Sequence, residues 1–247
     1  MNTSMHVGLL FLSATLVMVG CNHFDCGRRD CIYRCTFDGA ESVRAVAGAN
    51  VMSGAGLNFV EGVKGKALSV QAGMVPMRVD FEKGLPLEKG RISYWIKLED
   101  AAQSFRGNTY FLSFNGWFMM HRISTNTGAG TCGWQASIGG YHLYGFQGCG
   151  SRPYASLFPP EADPKGWHQY EFVWNTNGIH GAESKIVQYR IDGKEVLSAA
   201  KSELDMKRYL WHMNTCKKMT IGGMQTETSQ QPFLIDELEI CATDEVQ

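Results

Sequence analysis

Neither sign of charge is in excess in this chain of 247 residues: 23 Lys and Arg stand against 24 Asp and Glu, a formal net charge of −1. With no surplus of basic groups to neutralise phosphates, nucleic acid is not an expected partner. Long apolar runs are missing too. The stretch Val7 to Gly20 (VGLLFLSATLVMVG) holds 14 residues, where a membrane-spanning helix needs about 20. There is no fixed-period repeat and no low-complexity tract, and with 44% hydrophobic residues intrinsic disorder is excluded. The seven histidines show no HExxH spacing, and no GxSxG elbow supports a Ser-His-Asp triad. What remains is a chain with 28 glycines and 11% aromatic residues. That composition describes a turn-rich, strand-rich protein, and its length suits one large β domain.

The apolar run reads as the h-region of a signal peptide, residues 1–20. Its end, Met18-Val19-Gly20-Cys21, resembles the bacterial lipobox. The resemblance implies lipidation of Cys21 and an exported protein, lipid-anchored to a membrane of the bacterial cell envelope. An ordinary cleaved signal, with Cys21 in a disulfide, is the alternative. Either way the compartment is oxidising, so the eight cysteines are read first as a disulfide framework. Cys132 and Cys149 flank a glycine-rich loop, and a bridge between them would contribute about 3 kcal/mol. A zinc site of His23, Cys26, Cys31 and Cys35 is a rival reading, although the spacing lacks a CxxC pair. Residues 21–34 are expected to form the lipid-anchored tether.

Strand signals dominate the rest. Arg91 to Leu98 alternates Ile92, Tyr94, Ile96 and Leu98 with Ser93, Trp95 and Lys97, the period-two pattern of a sheet. Tyr170 to Trp174 repeats it. Val187 to Ile191 and Lys194 to Leu197 read as a hairpin across Asp192-Gly193, a pair that tolerates the positive φ of a tight turn. Ile235 to Ile240 is a closing strand. A single helix is expected, over Ser202 to Met213. Strands with turn-rich connections and almost no helix imply an all-β, jelly-roll β-sandwich of two antiparallel sheets.

Six blocks carry a resemblance to a known family. They are Cys35-Thr36-Phe37-Asp38-Gly39, Gly62 to Leu68, Gly90 to Ile96, Gly166-Trp167-His168-Gln169-Tyr170, the hairpin from Tyr189 to Val196, and Ile235-Asp236-Glu237-Leu238. In this order they resemble the LamG-like jelly-roll domain of the concanavalin A-like lectin/glucanase superfamily, over residues 35–243. That resemblance implies neighbouring first and last strands, hence a Cys35–Cys241 disulfide, and a structural Ca²⁺ held by Asp38 and Asp236. If the two acids do not hold calcium, they cap turns or bind backbone amides.

Some members of that superfamily cleave polysaccharides with paired acids about 5 to 9.5 Å apart. Here Ile235 to Ile240 offers Asp236, Glu237 and Glu239. Strict alternation puts Asp236 with Leu238 and Ile240, and leaves Glu237 and Glu239 as a solvated face. The hydrolase motif is absent, and no catalytic residue is assigned. Recognition is the better expectation. Residues 105–160 hold 12 of the 28 aromatics, several among glycines and polar residues. Such rings, expected on exposed loops, stack on sugar faces while polar neighbours bond the hydroxyls. Trp117, Trp134, Tyr141, Tyr144 and Tyr154 form the candidate platform, with His121, Arg122, Gln135, His142 and Arg152 as hydrogen-bonding neighbours, whereas Phe111, Phe114 and Phe118 are expected in the core. The expected function is non-catalytic binding of a polysaccharide or glycan at the envelope. A polysaccharide-cleaving hydrolase or lyase, or a protein-binding adhesion module, is the alternative.

Overall fold

Alternating apolar positions build two antiparallel sheets that close on one another. The computed structural model describes residues 31–44, 49–53, 56–75, 77–82, 84–98, 107–114, 119–126, 131–138, 141–148, 166–224, 227–228 and 231–243. The eight-stranded sheet contains β1 (Cys31–Cys35), β3 (Asn58–Glu61), β4 (Lys66–Val70), β6 (Lys89–Leu98), β11 (His168–Asn175), β12 (Lys185–Ile191), β13 (Lys194–Ala200) and β17 (Phe233–Cys241). Their order is β13-β12-β11-β6-β17-β4-β3, with β1 also paired to β17. The seven-stranded sheet contains β2 (Ala49–Ser53), β5 (Met77–Phe81), β7 (Gly107–Phe114), β8 (Met119–Asn126), β9 (Thr131–Ile138), β10 (Tyr141–Gly148) and β14 (Lys218–Ile221). It runs β10-β9-β8-β7-β14-β5-β2. A two-strand ribbon, β15 (Gly223–Met224) with β16 (Glu227–Thr228), two α-helices, α1 (Ala40–Arg44) and α2 (Met206–Thr215), and a 3₁₀ turn at Lys201–Glu203 complete the described elements.

The expected alternation of β6 is observed: Ile92, Tyr94, Ile96 and Leu98 all lie in the core. Phe111 and Phe114 are buried there as well. Phe111 joins the layers, edge-on to Phe233 at 5.0 Å and stacked on Tyr170 at 6.4 Å. Each such ring removed from water stabilises the fold by about 2–3 kcal/mol. The Asp192-Gly193 turn has φ of 50° and 74°, the positive values that a two-residue hairpin needs. Phe118 lies outside the described residues.

Three expectations change. The helix begins later than its spacing suggests, after a 3₁₀ turn at Lys201–Glu203. Asp205 starts it, its carboxylate accepting from the backbone N–H of Lys207 (3.1 Å) and Arg208 (3.2 Å), as an N-cap does. The closing strand carries a β-bulge between Asp236 and Glu239, with Glu237 at φ 48°. The extra residue shifts the phase. Phe233 and Ile235 reach the core before it, Leu238 and Ile240 after it, so strict alternation fails and Glu239 is buried instead of solvated.

The third change is the disulfide. The first and last strands do pair, but the register sets Cys35 opposite Leu238 and Cys31 opposite Cys241. Cys241 is bonded to Cys31, and Cys35 is a buried free thiol. Burial pushes that thiol up to about 12. Strand β1 thus reaches back into residues expected to be tether, because Cys31 must lie beside the chain's far end. The zinc reading loses Cys31 to the same bond, and its His23 and Cys26 lie outside the described residues.

Candidate functional site

Asp38 and Asp236 are brought to one turn. At its first half β17 borders β4, at its second half β1, so the bulge sits where these two neighbours part. The turn from Gly62 to Lys66, joining β3 to β4, lies at that fork. Asp236 is fully buried. Its Oδ2 accepts from the backbone N–H of Val63 (2.9 Å) and Lys64 (3.1 Å), and its Oδ1 accepts from Glu237 N–H (2.8 Å). Asp38 Oδ1 accepts from Lys66 N–H at 3.1 Å. A Cβ at Gly62 would stand 2.5 Å from Asp236 Oδ2, so the close approach requires glycine.

This donor set fits turn capping. Ca²⁺ takes six to eight oxygens, while most of the lone pairs of Asp236 already face N–H groups. Among the described residues, the one cluster of three potential ligands is Cys31, Glu239 and Cys241, and its two sulfurs are bonded to each other. Burial outweighs the three N–H donors and pushes the Asp236 carboxyl up to about 6. Glu237 is raised as well, chiefly by burial, with Lys64 and Arg34 opposing.

The face of the eight-stranded sheet turned away from the core carries a row of charge. Register aligns Arg34, Glu239, Ser93, Glu171, Arg190 and Glu195 across β1, β17, β6, β11, β12 and β13. Arg34 Nε lies 3.1 Å from Glu239, and Arg91 lies 3.3 Å from Glu171 and 3.8 Å from Glu239. Glu171 is 1% exposed, so an unpaired charge there would be very costly. These acids hold arginines. Sequence reasoning missed the ladder, although a charged residue beside each core ring, as at Glu171 between Tyr170 and Phe172, was the available signal.

The ring-rich segment expected to form loops instead supplies strands β7 to β10, at one end of the seven-stranded sheet. Tyr110, Arg122, Gln135 and Tyr144 fall in a single register row across all four. Phe111 and Leu112 both lie in the core, across a register irregularity, and Tyr110, the row's member on β7, is fully buried as well. His142, two positions from Tyr144, shares that phase. His121, Trp134 and Tyr141 fall in alternating rows, in phase with the core residue Leu112. Register therefore unites four of the ten expected residues on one face and separates three from them. Trp117, Arg152 and Tyr154 lie outside the described residues, as do Cys21 and Cys149, so the Cys132–Cys149 bridge is not described.

Helix α2 links edge strand β13 to β14, crossing from one sheet to the other. Tyr209 and Met213 enter the core, and the helix approaches Gly84 so closely that a Cβ there would stand 2.5 Å from Asn214 O. On the opposite side Trp211 is 59% exposed, edge-on to His212 at 4.8 Å. Arg208 Nε donates to His212 Nε2 at 3.4 Å. Burial first, then the neighbouring Arg208, lower the His212 pKa.

No family model matches this chain, and no curated protein matches its sequence. Solved structures do. The receptor-binding domain of the botulinum neurotoxin C/D mosaic serotype is 13% identical with a TM-score of 0.59, over 88% of this chain and 49% of that one. The serotype D ligand-binding domain, in complex with N-acetylneuraminic acid, is 13% identical with a TM-score of 0.55, over 80% and 43%. The DC binding domain, in complex with rat synaptotagmin II, is 12% identical with a TM-score of 0.53, over 80% and 44%. The chain spans about half the length of these neighbours or less. What the likeness shows is the fold, a β-sandwich of two antiparallel sheets.

Proposed function

We propose that this chain is a non-catalytic carbohydrate-binding module, exported to the bacterial envelope and anchored there through Cys21. Its binding face is the register row on β8 to β10. The observation that carries the reading is the row joining Arg122, Gln135 and Tyr144, with His142 in the same phase. A flat ring beside a guanidinium and an amide is the combination that stacks on a sugar and bonds its polar edge. Arg122 favours an acidic sugar, because a guanidinium pairs with a carboxylate through two parallel hydrogen bonds. The neighbour solved with N-acetylneuraminic acid supports that class. Among the described residues, Glu171 and Glu239 are engaged with arginines and Asp236 with backbone N–H groups. That engagement favours binding over cleavage.

A glycan array carrying acidic and neutral sugars tests the proposal. Retention on acidic glycans should fall at least tenfold in Arg122→Ala and Tyr144→Ala, with Trp134→Phe close to wild type. Equal binding by all three variants would refute the assignment of the face. The neighbour solved with synaptotagmin II favours a second reading, a protein ligand; an array without hits, followed by capture of an envelope protein dependent on Arg122, would establish it.

A further inference from the structure

The outward face of α2 is unlike the rest of the described surface. Leu210 is 38% exposed and Trp211 59%, and among the described residues they are the one pair of consecutive large hydrophobic side chains left open to water. Lys207, Leu210, Trp211 and Asn214 recur at helical spacing, so they share one face; Lys207, Leu210, Trp211 and Asn214 are all exposed. Tyr209 and Met213 hold the opposite face in the core, which fixes the presented side. Between Met206 and Lys218 stand Lys207, Arg208, Lys217 and Lys218 with no acid among them, in a chain whose net charge is −1. All four of these basic side chains are exposed.

We propose that this face of α2 is a docking surface for an anionic lipid bilayer, with Leu210 and Trp211 entering the headgroup boundary and the four basic residues meeting lipid phosphates. Trp suits that depth because its ring is apolar and its indole N–H is a donor. A helix whose apolar side chains are flanked by Lys and Arg binds interfaces through both contributions. A groove that grips a single sugar would be concave; a helix face is convex and fits a broad surface. The charge excludes a neutral surface as the preferred occupant. This surface is separate from the row on β7 to β10, and from any lipid on Cys21.

The test reads Trp211 alone, as the emission lost between the full chain and Trp211→Phe, so an N-terminal anchor does not obscure it. The probe is a set of vesicles with brominated acyl chains, made of phosphatidylcholine with or without phosphatidylglycerol. Trp211 emission should be quenched by the anionic vesicles, and half-maximal lipid should rise about fivefold for each lysine neutralised in Lys217→Gln and Lys218→Gln. Added salt should act in the same direction. Thermal melting within a degree or two of wild type shows that the variants are folded. Unquenched Trp211 emission overturns the proposal, as does equal quenching by pure phosphatidylcholine. A response to soluble oligosaccharide or to an acidic protein in place of vesicles overturns it too, reassigning the face.

Discussion

The strand seam at Cys31, Asp236 and Cys241 and the solvent face of α2 are both rich in charged groups, but their partners differ. At the seam these groups are engaged within the chain: Asp236 by three N–H groups, Glu239 by Arg34, Cys31 by Cys241. On α2 Lys207, Arg208 and Trp211 are exposed to water. Groups enclosed at the seam hold the fold. Groups left on the helix add little to it, and their chemistry is directed outward.

That contrast predicts how each region responds to mutation. Cys241→Ser removes a bond that closes a sequence separation of 210 residues; it should cost about 4 kcal/mol, seen as a lower denaturation midpoint in urea. A loss below about 1 kcal/mol would mean that the hydrogen bonds hold the seam unaided. Glu171→Ala leaves Arg91 with only the longer contact to Glu239 at 3.8 Å and should cost about 3 kcal/mol. Replacing both, as Arg91→Met with Glu171→Leu, should recover most of that loss, since Glu239 keeps Arg34. Failure to recover would indicate a structural role beyond the pair.

Asp236 sharpens the comparison through pH. Its folded-state pKa is about 6, above the roughly 3.9 of an unfolded aspartate, so the native state binds the proton more tightly. The stability it contributes is full below about pH 4 and is lost as pH rises through about 6. The difference in unfolding free energy between wild type and Asp236→Asn should therefore change by about 3 kcal/mol across that window. Calcium and EDTA should leave it unchanged. A flat difference would assign the acid no titration there. The smallest effect lies on α2. Trp211→Ala should alter stability by no more than about 0.5 kcal/mol, while Tyr209→Ala, two residues away but in the core, should cost about 3 kcal/mol. Similar losses at both sites would show that the exposed ring is structural.

Where polarity alternates without interruption, the strands were legible. β6, β11 and the hairpin at Asp192-Gly193 follow directly from residue spacing and turn chemistry. The bulge at Asp236 was not, because an inserted residue leaves no mark in a period-two pattern until the partner strand is known. The disulfide illustrates the same limit: the nearness of the two ends was expected, but the choice of Cys31 over Cys35 is a matter of register, four residues along one strand. For the candidate site, enrichment in rings singled out residues 105–160, and pairing of the strands they form then sorted Tyr144, Gln135 and Arg122 from Trp134 and Tyr141. The exposure of Trp211 had no such signal, since its helix places Tyr209 and Trp211 in one short segment with opposite fates.

Composition and periodicity determined by themselves that this chain forms two antiparallel layers around an apolar interior, because burial requires one face of each strand to be apolar. Which acid meets which amide, which cysteine meets Cys241, and which aromatic stays in water were decided only by tertiary structure. Those outcomes depend on register and on the neighbours that distant segments supply, and neither is written in any local stretch of sequence.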